Sequence, residues 1–432
     1  MRFYLHIAFV FISISASAQE LLTPQQAIAI ALENNYDIKL SKNDLKIDEQ
    51  NVSLANAGLL PNVSGVFTQN NSIQNSTQVR SDGTVQELDN ARNNSMQYGV
   101  NLGWTIFDGF RMFARYDQLK ELEKQGEAEL KLMVMTRVGD VLTTYYDLVQ
   151  QQQMLTALDT AIVISKQRVE TASNRFTIGK AAKLEVLNAQ VDLNTDHTNY
   201  LRQKEQYENT KTFLNELLAR ELDAKFRVVD TVLIDNRLKL ADLMNNASAQ
   251  NPQIQIALIS KRVAELNLKQ VRAARYPQIG VSTGYIFTES ESSLGFAREN
   301  SGRGLSYGIS ANINIFNGFL QKRNEKVARL QIDNSQILIE QQTKSINSQL
   351  MSAFQTYLTN LELVELEAKN EEIAKQNLDI TMEKYRIGTI TQLEVRTAQL
   401  NYVNARVRNS SAQFQAKISE VTLRELAGTI NF

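Results

Sequence analysis

The residues with chemical potential in this chain are few, and they come in matched pairs. Glu185 and Glu394 each stand six residues after a glycine, Gly179 and Gly388. Phe176 and Tyr385 each stand three residues before it, and Arg175, Lys183, Lys384 and Arg386 lie close by. Carboxylates so placed could draw cations, and the basic neighbours could pair with them. The plainer reading is that both glutamates are ordinary exposed helix residues. No catalytic constellation accompanies them. His197 is the only histidine outside the first residues, and it sits in a polar helical stretch, where a solvated side chain is the expected state. No cysteine is present, which excludes a disulfide framework, a thiolate metal site and a lipid anchor on cysteine. No P-loop is present either. The expectation is a protein that is no enzyme and holds no metal and no cofactor. The net charge of -1, without a basic patch, makes nucleic acid a poor partner.

The pairing of these residues belongs to a duplication of the whole chain. Residues 175–190 align with residues 384–399, and seven of the 16 positions are identical. About one would be expected from average composition. The offset is 209. The same offset brings Tyr98-Gly99 onto Tyr307-Gly308, and Ile106-Phe107-Asp108-Gly109-Phe110 onto Ile315-Phe316-Asn317-Gly318-Phe319. Nearer the N-terminus the offset is 216, which pairs Leu60-Pro61 with Tyr276-Pro277 and implies a 7-residue insertion between residues 61 and 98.

The elements that must position these residues follow from patterning. Arg2, an apolar run over residues 5–14 and Ala16-Ser17-Ala18 read as a secretory signal peptide over 1–18, with the mature chain starting at Gln19. No later stretch is apolar and long enough for a membrane helix, so any membrane entry must be through a β-barrel. Thr23-Pro24-Gln25-Gln26 opens a helix with a capping-box pattern, and the helix is expected to run to about Gly58. Its counterpart is expected over Pro252 to Arg275. Tyr98, Val100, Leu102, Trp104 and Ile106 alternate with Gly, Asn and Thr, and Tyr307, Ile309, Ala311, Ile313 and Ile315 do the same. Residues 279–287 alternate less strictly, and Val63, Gly65 and Phe67 least of all. Segments of ~10 alternating residues suit transmembrane strands, although a half-buried strand of a soluble sheet alternates in the same way. The strand pairs are placed at about 62–107 and 278–316. Polar loops are expected over Gln69–Ser95 and Thr288–Leu305. Trp104, Tyr98, Tyr285 and Tyr307 are candidates for anchors at a membrane interface.

Very long helices follow Asp108-Gly109 and Asn317-Gly318. From Phe319 to Glu383 the pattern is helical throughout, a span of ~100 Å. Leu350, Phe354, Tyr357, Leu361, Val364 and Ala368 form a heptad seam, and Val141, Tyr145, Leu148 and Leu155 repeat it. The helices turn at Ile178-Gly179 and Ile387-Gly388 and return. The chain thus divides into a first repeat, 19–220, a linker, 221–239, and a second repeat, 240–432.

On these residues the chain resembles the TolC-like outer-membrane efflux protein family. Arg175-Phe176-x-x-Gly179 followed by Leu184-Glu185-Val186-x-x-Ala189-Gln190 carries the resemblance. So does Tyr385-x-x-Gly388 followed by Leu393-Glu394-Val395-x-x-Ala398-Gln399. It implies a mainly α fold with transmembrane strands. Four strands per chain would join one 12-stranded β-barrel shared by a homotrimer, continued by a long α-helical barrel, with the linker in an equatorial region. It implies an outer-membrane exit duct for tripartite efflux or type I secretion, set in outer-membrane lipid with its helical barrel in the periplasm. It also implies partners, a periplasmic adaptor and an inner-membrane transporter. Ile178, Gly179, Ile387 and Gly388 would be the adaptor-docking turns, six per trimer. Glu185, Glu394, Phe176 and Tyr385 would form the periplasmic entrance and its gate. The competing expectation is a long-helix structural or adhesive envelope protein without a channel.

Overall fold

The computed structural model describes residues 20–293 and 297–430. The signal-peptide reading over residues 1–18 lies outside the described residues. The elements are β1 (Glu20–Leu22), α1 (Pro24–Asn34), α2 (Tyr36–Asn51), β2 (Asn62–Val79), β3 (Val85–Phe107), α3 (Arg111–Thr177) and α4 (Lys183–Leu217). They continue with β4 (Phe226–Val228), α5 (Leu240–Gln250), α6 (Pro252–Ala273), β5 (Gln278–Ser292), β6 (Glu299–Asn312), α7 (Leu320–Ile387) and α8 (Gln392–Leu426). The order helix, helix, strand, strand, long helix, return helix occurs twice. The described residues cluster into two compact units. One gathers residues up to 40 with 132–251 and those from 345 onward, and the other gathers 41–131 with 252–344.

The first helix departs from expectation. A single helix was expected from Thr23 to Gly58, but the chain leaves helical geometry at Asn35 (φ -53, ψ 132), and α2 ends at Asn51. Asn35 breaks the helix because its side chain serves both flanks. Oδ1 accepts the amides of Asp37 and Ile38, which caps α2, and Nδ2 donates to the Leu217 carbonyl at 2.8 Å. The second repeat has the same break. Helix α5 precedes the expected start at Pro252, and Asn251 Nδ2 donates to the Leu426 carbonyl at 2.9 Å. The capping box at Thr23 and Gln26 is present as expected.

The second unit holds an antiparallel sheet in the order β2-β3-β5-β6. Val100, Trp104, Ile106, Tyr285, Tyr307 and Ile309 are all exposed on it. Both polar loops are shorter than expected. Strand β2 continues to Val79 and β3 starts at Val85, and β5 and β6 reach Ser292 and Glu299. The ladder needs only backbone groups, so Asn, Ser, Thr and Gln sustain it where no apolar face is required. Strand β6 also ends sooner than expected, at Asn312 rather than near Phe316.

Each strand pair passes to its long helix through two left-handed residues. These are Gly109 and Phe110 (φ 72 and 68), then Gly318 and Phe319 (φ 65 and 65). A Cβ on Gly109 would collide with the Ala273 carbonyl oxygen, so only glycine fits there. Asp108 Oδ1 accepts the Met112 amide and Asn317 Oδ1 the Gln321 amide, capping both helices. The strained phenylalanines are held by edge-to-face contacts, Phe107–Phe110 at 5.3 Å and Phe316–Phe319 at 5.4 Å.

The first unit is built around Leu22, Ala27, Ala31, Tyr145, Leu214 and Phe226. Strands β1 and β4 pair in parallel, and Tyr145 ties both to α3. Its hydroxyl donates to the Leu22 carbonyl at 2.8 Å and accepts the Val229 amide at 3.0 Å. Linker residue Asp235 is held by α7 and α8. Its amide donates to Glu420, its carboxylate pairs with Arg424, and its carbonyl accepts the Tyr357 hydroxyl.

Candidate functional site

The two turns at the ends of the long helices share one construction. Gly179 has φ +75 and Gly388 has φ +85, with open space where a Cβ would stand. Gly179 N donates to the Phe176 carbonyl and Lys180 N to the Arg175 carbonyl. In the second copy Gly388 N donates to Tyr385 and Thr389 N to Lys384. This is the Schellman motif, which needs a residue that tolerates positive φ at its corner. Beside the glycines, Ile178 and Ile387 are exposed, and so are Leu184 and Leu393. Each turn therefore presents two apolar side chains that the chain itself does not cover.

The matched glutamates have different surroundings. Glu394 is exposed and folded back on its own helix start. Its carboxylate accepts the Thr391 amide at 2.7 Å and the Thr391 hydroxyl at 3.0 Å, closing a capping box. These bonds favour the ionised form and hold its carboxyl below the usual range. Helix α4 has Ala182 at the same place, with no side-chain cap. Glu185 is half-buried, and its charge is felt by Tyr385. Burial pushes the Tyr385 hydroxyl up, the nearby Arg175 guanidinium pulls it down and Glu185 pushes it up. The Arg175 guanidinium lies 5.5 Å from the centre of the Tyr385 ring. Tyr385 is 1% exposed, whereas its counterpart Phe176 is 44% exposed. The structure thus brings Glu185, Arg175 and Tyr385 together, lets Glu394 line the same cleft as Glu185 and Arg175, and leaves Phe176 outside that group.

A polar network next to the turns escaped the sequence reading. Arg168 on α3 is 1% exposed and donates to Gln399 on α8 at 3.1 Å and to Asp192 on α4 at 2.8 Å. Asp196 on α4 accepts both terminal nitrogens of Arg396 on α8, at 2.8 and 3.0 Å, and the Ser165 hydroxyl at 2.6 Å. Gln399 completes it by donating to the Ala161 carbonyl and to Ser165. Three helices from both hairpins are thereby joined through buried charge. Losing one partner of such a group costs about 3–5 kcal/mol, because the other charge stays buried and uncompensated. The matching places in the other repeat hold Asn377, Asn401, Ala405 and Leu187, so the network exists in one copy only. A sequence signal was available. Leu158, Ala161, Ser165, Arg168 and Ala172 step by 3-4-3-4 along one face of α3, and the polar members hide the stripe.

The aromatic candidates lie on the sheet. Trp104 Nε1 donates to the Leu59 carbonyl at 2.9 Å, near the exit to α3. Tyr98 stacks on Phe287 at 5.0 Å, and Tyr285 and Tyr307 are exposed. Among the described residues no group of acidic, histidine or cysteine side chains could hold a metal ion. Among them, too, no helix is long and apolar enough to cross a membrane.

Comparison with known proteins gives this architecture its context. The family model described as "Outer membrane efflux protein" matches residues 27–220 and 243–429. Protein CyaE of Bordetella pertussis is 22% identical over 94% of this chain and 84% of its own length. Outer membrane efflux protein BepC of Brucella suis is 21% identical over 96% and 86%. Outer membrane protein TolC of Escherichia coli is 20% identical over 92% and 80%. Among solved structures, the Campylobacter jejuni CmeC outer membrane channel superposes with a TM-score of 0.77 at 18% identity, over 94% of this chain and 85% of that one. The Vibrio cholerae outer membrane protein VceC superposes with a TM-score of 0.75 at 16% identity, over 94% and 96%. With its twofold order of helices and strands, its paired glycine turns and a family match over both copies, this chain belongs to the outer membrane efflux protein family, which sits in the outer membrane with its helices in the periplasm.

Proposed function

We propose that three copies of this chain form a passive exit duct. It would carry substrates from the periplasm or an inner-membrane transporter to the exterior, in tripartite efflux or type I secretion. One observation carries the reading. The sheet has only four strands, exposes its apolar face and leaves both outer edges unpaired among the described residues. Four strands cannot close a barrel, since the smallest have ~8. Unpaired backbone groups cannot face lipid, so further copies must supply the missing strands. The mass of the detergent-extracted protein tests this. Three chains are expected, and a monodisperse monomer that spans the bilayer would overturn it. Conductance in a planar bilayer separates the duct from a long-helix adhesive protein.

The turns would dock the periplasmic adaptor through Ile178, Ile387 and their exposed leucine neighbours. Glu185 and Glu394 would place six carboxylates at the periplasmic entrance, where a narrow, low-dielectric neck strengthens their field. Glu185, Arg175 and Tyr385 would help to hold the closed state. Single-channel recording of the Glu185→Gln, Glu394→Gln double variant tests the entrance. Loss of cation preference and of block by a trivalent cation is expected, and unchanged values would remove both residues from the entrance.

A further inference from the structure

We propose that the cleft where the sheet meets α3 is a subsite for small organic anions passing through the duct, and that Arg111 and Arg115 hold their carboxylate, phosphate or sulfate group. The proposal rests on the duct reading and adds to it a class of cargo.

The cleft lies within the second unit and has a volume of about 860 Å³. Thr105, Gln278 and Asn312 line it from the strands. The register puts them on the polar face of the sheet. Trp104, Val281 and Ile309 stand side by side on the apolar face. One residue along, Thr105, Gly280 and Ser310 stand on the opposite face, and Gln278 and Asn312 share it with them. The interior of a membrane barrel is polar. A cleft on this face opens to the duct and not to lipid, so its occupant is a solute rather than a lipid headgroup.

Charge defines what the cleft can hold. Arg111 and Arg115 are one helical turn apart on one face of α3, and both line the cleft. Among the described residues neither forms an ion pair. Arg115 Nη1 donates to the neutral Gln118 Oε1 at 2.8 Å, and Gln270 Nε2 donates to the same oxygen at 2.9 Å. This arm positions the guanidinium without neutralising it. Asp108 is the one acid in the lining, and its Oδ1 already accepts the Met112 amide. Two arginines against one aspartate leave a positive excess.

The place of these arginines is itself unfavourable. Arg111 is the first residue of α3, and the first turn of that helix holds no acid. A cation there faces the positive end of the helix dipole. Nothing in the lining offsets this, whereas an oxyanion does so by accepting charge-assisted bonds from the guanidinium groups. Side-chain amides of Asn56, Gln278 and Asn312 can donate to its remaining oxygens. The matching places in the second repeat hold Leu320 and Asn324, so the subsite occurs once per chain. Helix α7 also begins with cations, Lys322 and Arg323, but neither lines the cleft.

Single-channel recording with citrate as the probe tests the proposal. Citrate should block the wild-type channel reversibly. The Arg111→Gln, Arg115→Gln variant should need about tenfold more citrate for the same block, the loss expected when a charge-assisted bond to an oxyanion is removed. Arg111 is exposed and holds no ion pair, so Arg111→Gln alone should assemble and shift the block in the same direction. Lys322→Gln with Arg323→Gln removes equal charge outside the cleft and should leave the block unchanged. Equal loss in the two double variants would show a diffuse field instead of a subsite and overturn the proposal. So would a wild-type channel that conducts without citrate block, or a block that Arg111→Gln and the double variant leave unchanged; in both cases the duct reading stands. A wild-type protein that does not conduct overturns the duct reading itself, and the proposal with it.

Discussion

Glu394 shows how local bonding tunes a charge that the sequence could only point to. Its carboxylate is held by Thr391, so its carboxyl titrates below the usual ~4.3. A depressed group contributes helix-start stability above its unfolded pKa, and that contribution disappears as pH falls through the lower folded value. In a Glu185→Gln background, cation preference at the entrance should survive acidification beyond the ordinary glutamate range, and Thr391→Val should move its loss to higher pH. Reversal potentials measured against pH check both. The buried network makes a second claim at this scale. Asp196→Asn should leave Arg396 poorly paired and loosen the bond between hairpins, raising the open probability of single channels without loss of assembly. An unchanged open probability would make the network merely structural. The paired glutamates and glycines were legible because duplication marks them twice. Arg168, Asp192, Asp196 and Arg396 were not, because a one-copy network leaves no internal echo and polar members break an apolar stripe.

At the level of elements, the ends of the return helices are compared directly by the repeat. Gly428 has φ +73 at the end of α8, and its counterpart Ala219 has φ +49 at the end of α4. Both ends carry the Schellman bonds, Ala219 N to Glu216 with Arg220 N to Asn215, and Gly428 N to Glu425 with Thr429 N to Arg424. Alanine in left-handed geometry costs ~1–2 kcal/mol. Ala219→Gly should therefore stabilise the fold by about 1 kcal/mol, read as a rise in the thermal midpoint. The corresponding change at the turns runs the other way. Gly179→Val and Gly388→Val meet no steric obstacle but must hold a β-branched residue at positive φ. Adaptor co-purification should fall while trimers persist, and full co-purification would end the docking role of the turns. Helix and strand identity was legible from period, and the glycine corners from spacing. The breaks at Asn35 and Asn251 were hidden because they depend on carbonyls of distant helices, Leu217 and Leu426. The extended polar hairpins were hidden because backbone pairing leaves no apolar signature.

For the whole molecule, the repeat describes a ring of six similar hairpins in the proposed trimer, yet the hairpins are not equal. One member of each pair opens α8 with a Thr391 capping box, and the other opens α4 at an uncapped Ala182. Tyr385 is buried at one turn and Phe176 is open at the other. Any ring-shaped partner that seats a subunit on every turn thus meets two chemically distinct classes of three sites. Its binding isotherm should not be that of six equivalent sites. Filling should proceed in two stages, with a plateau at three partner subunits per trimer before six. Calorimetric titration of the purified trimer reads this stoichiometry directly, and a single transition at six would show that the partner does not sense the difference between the turns.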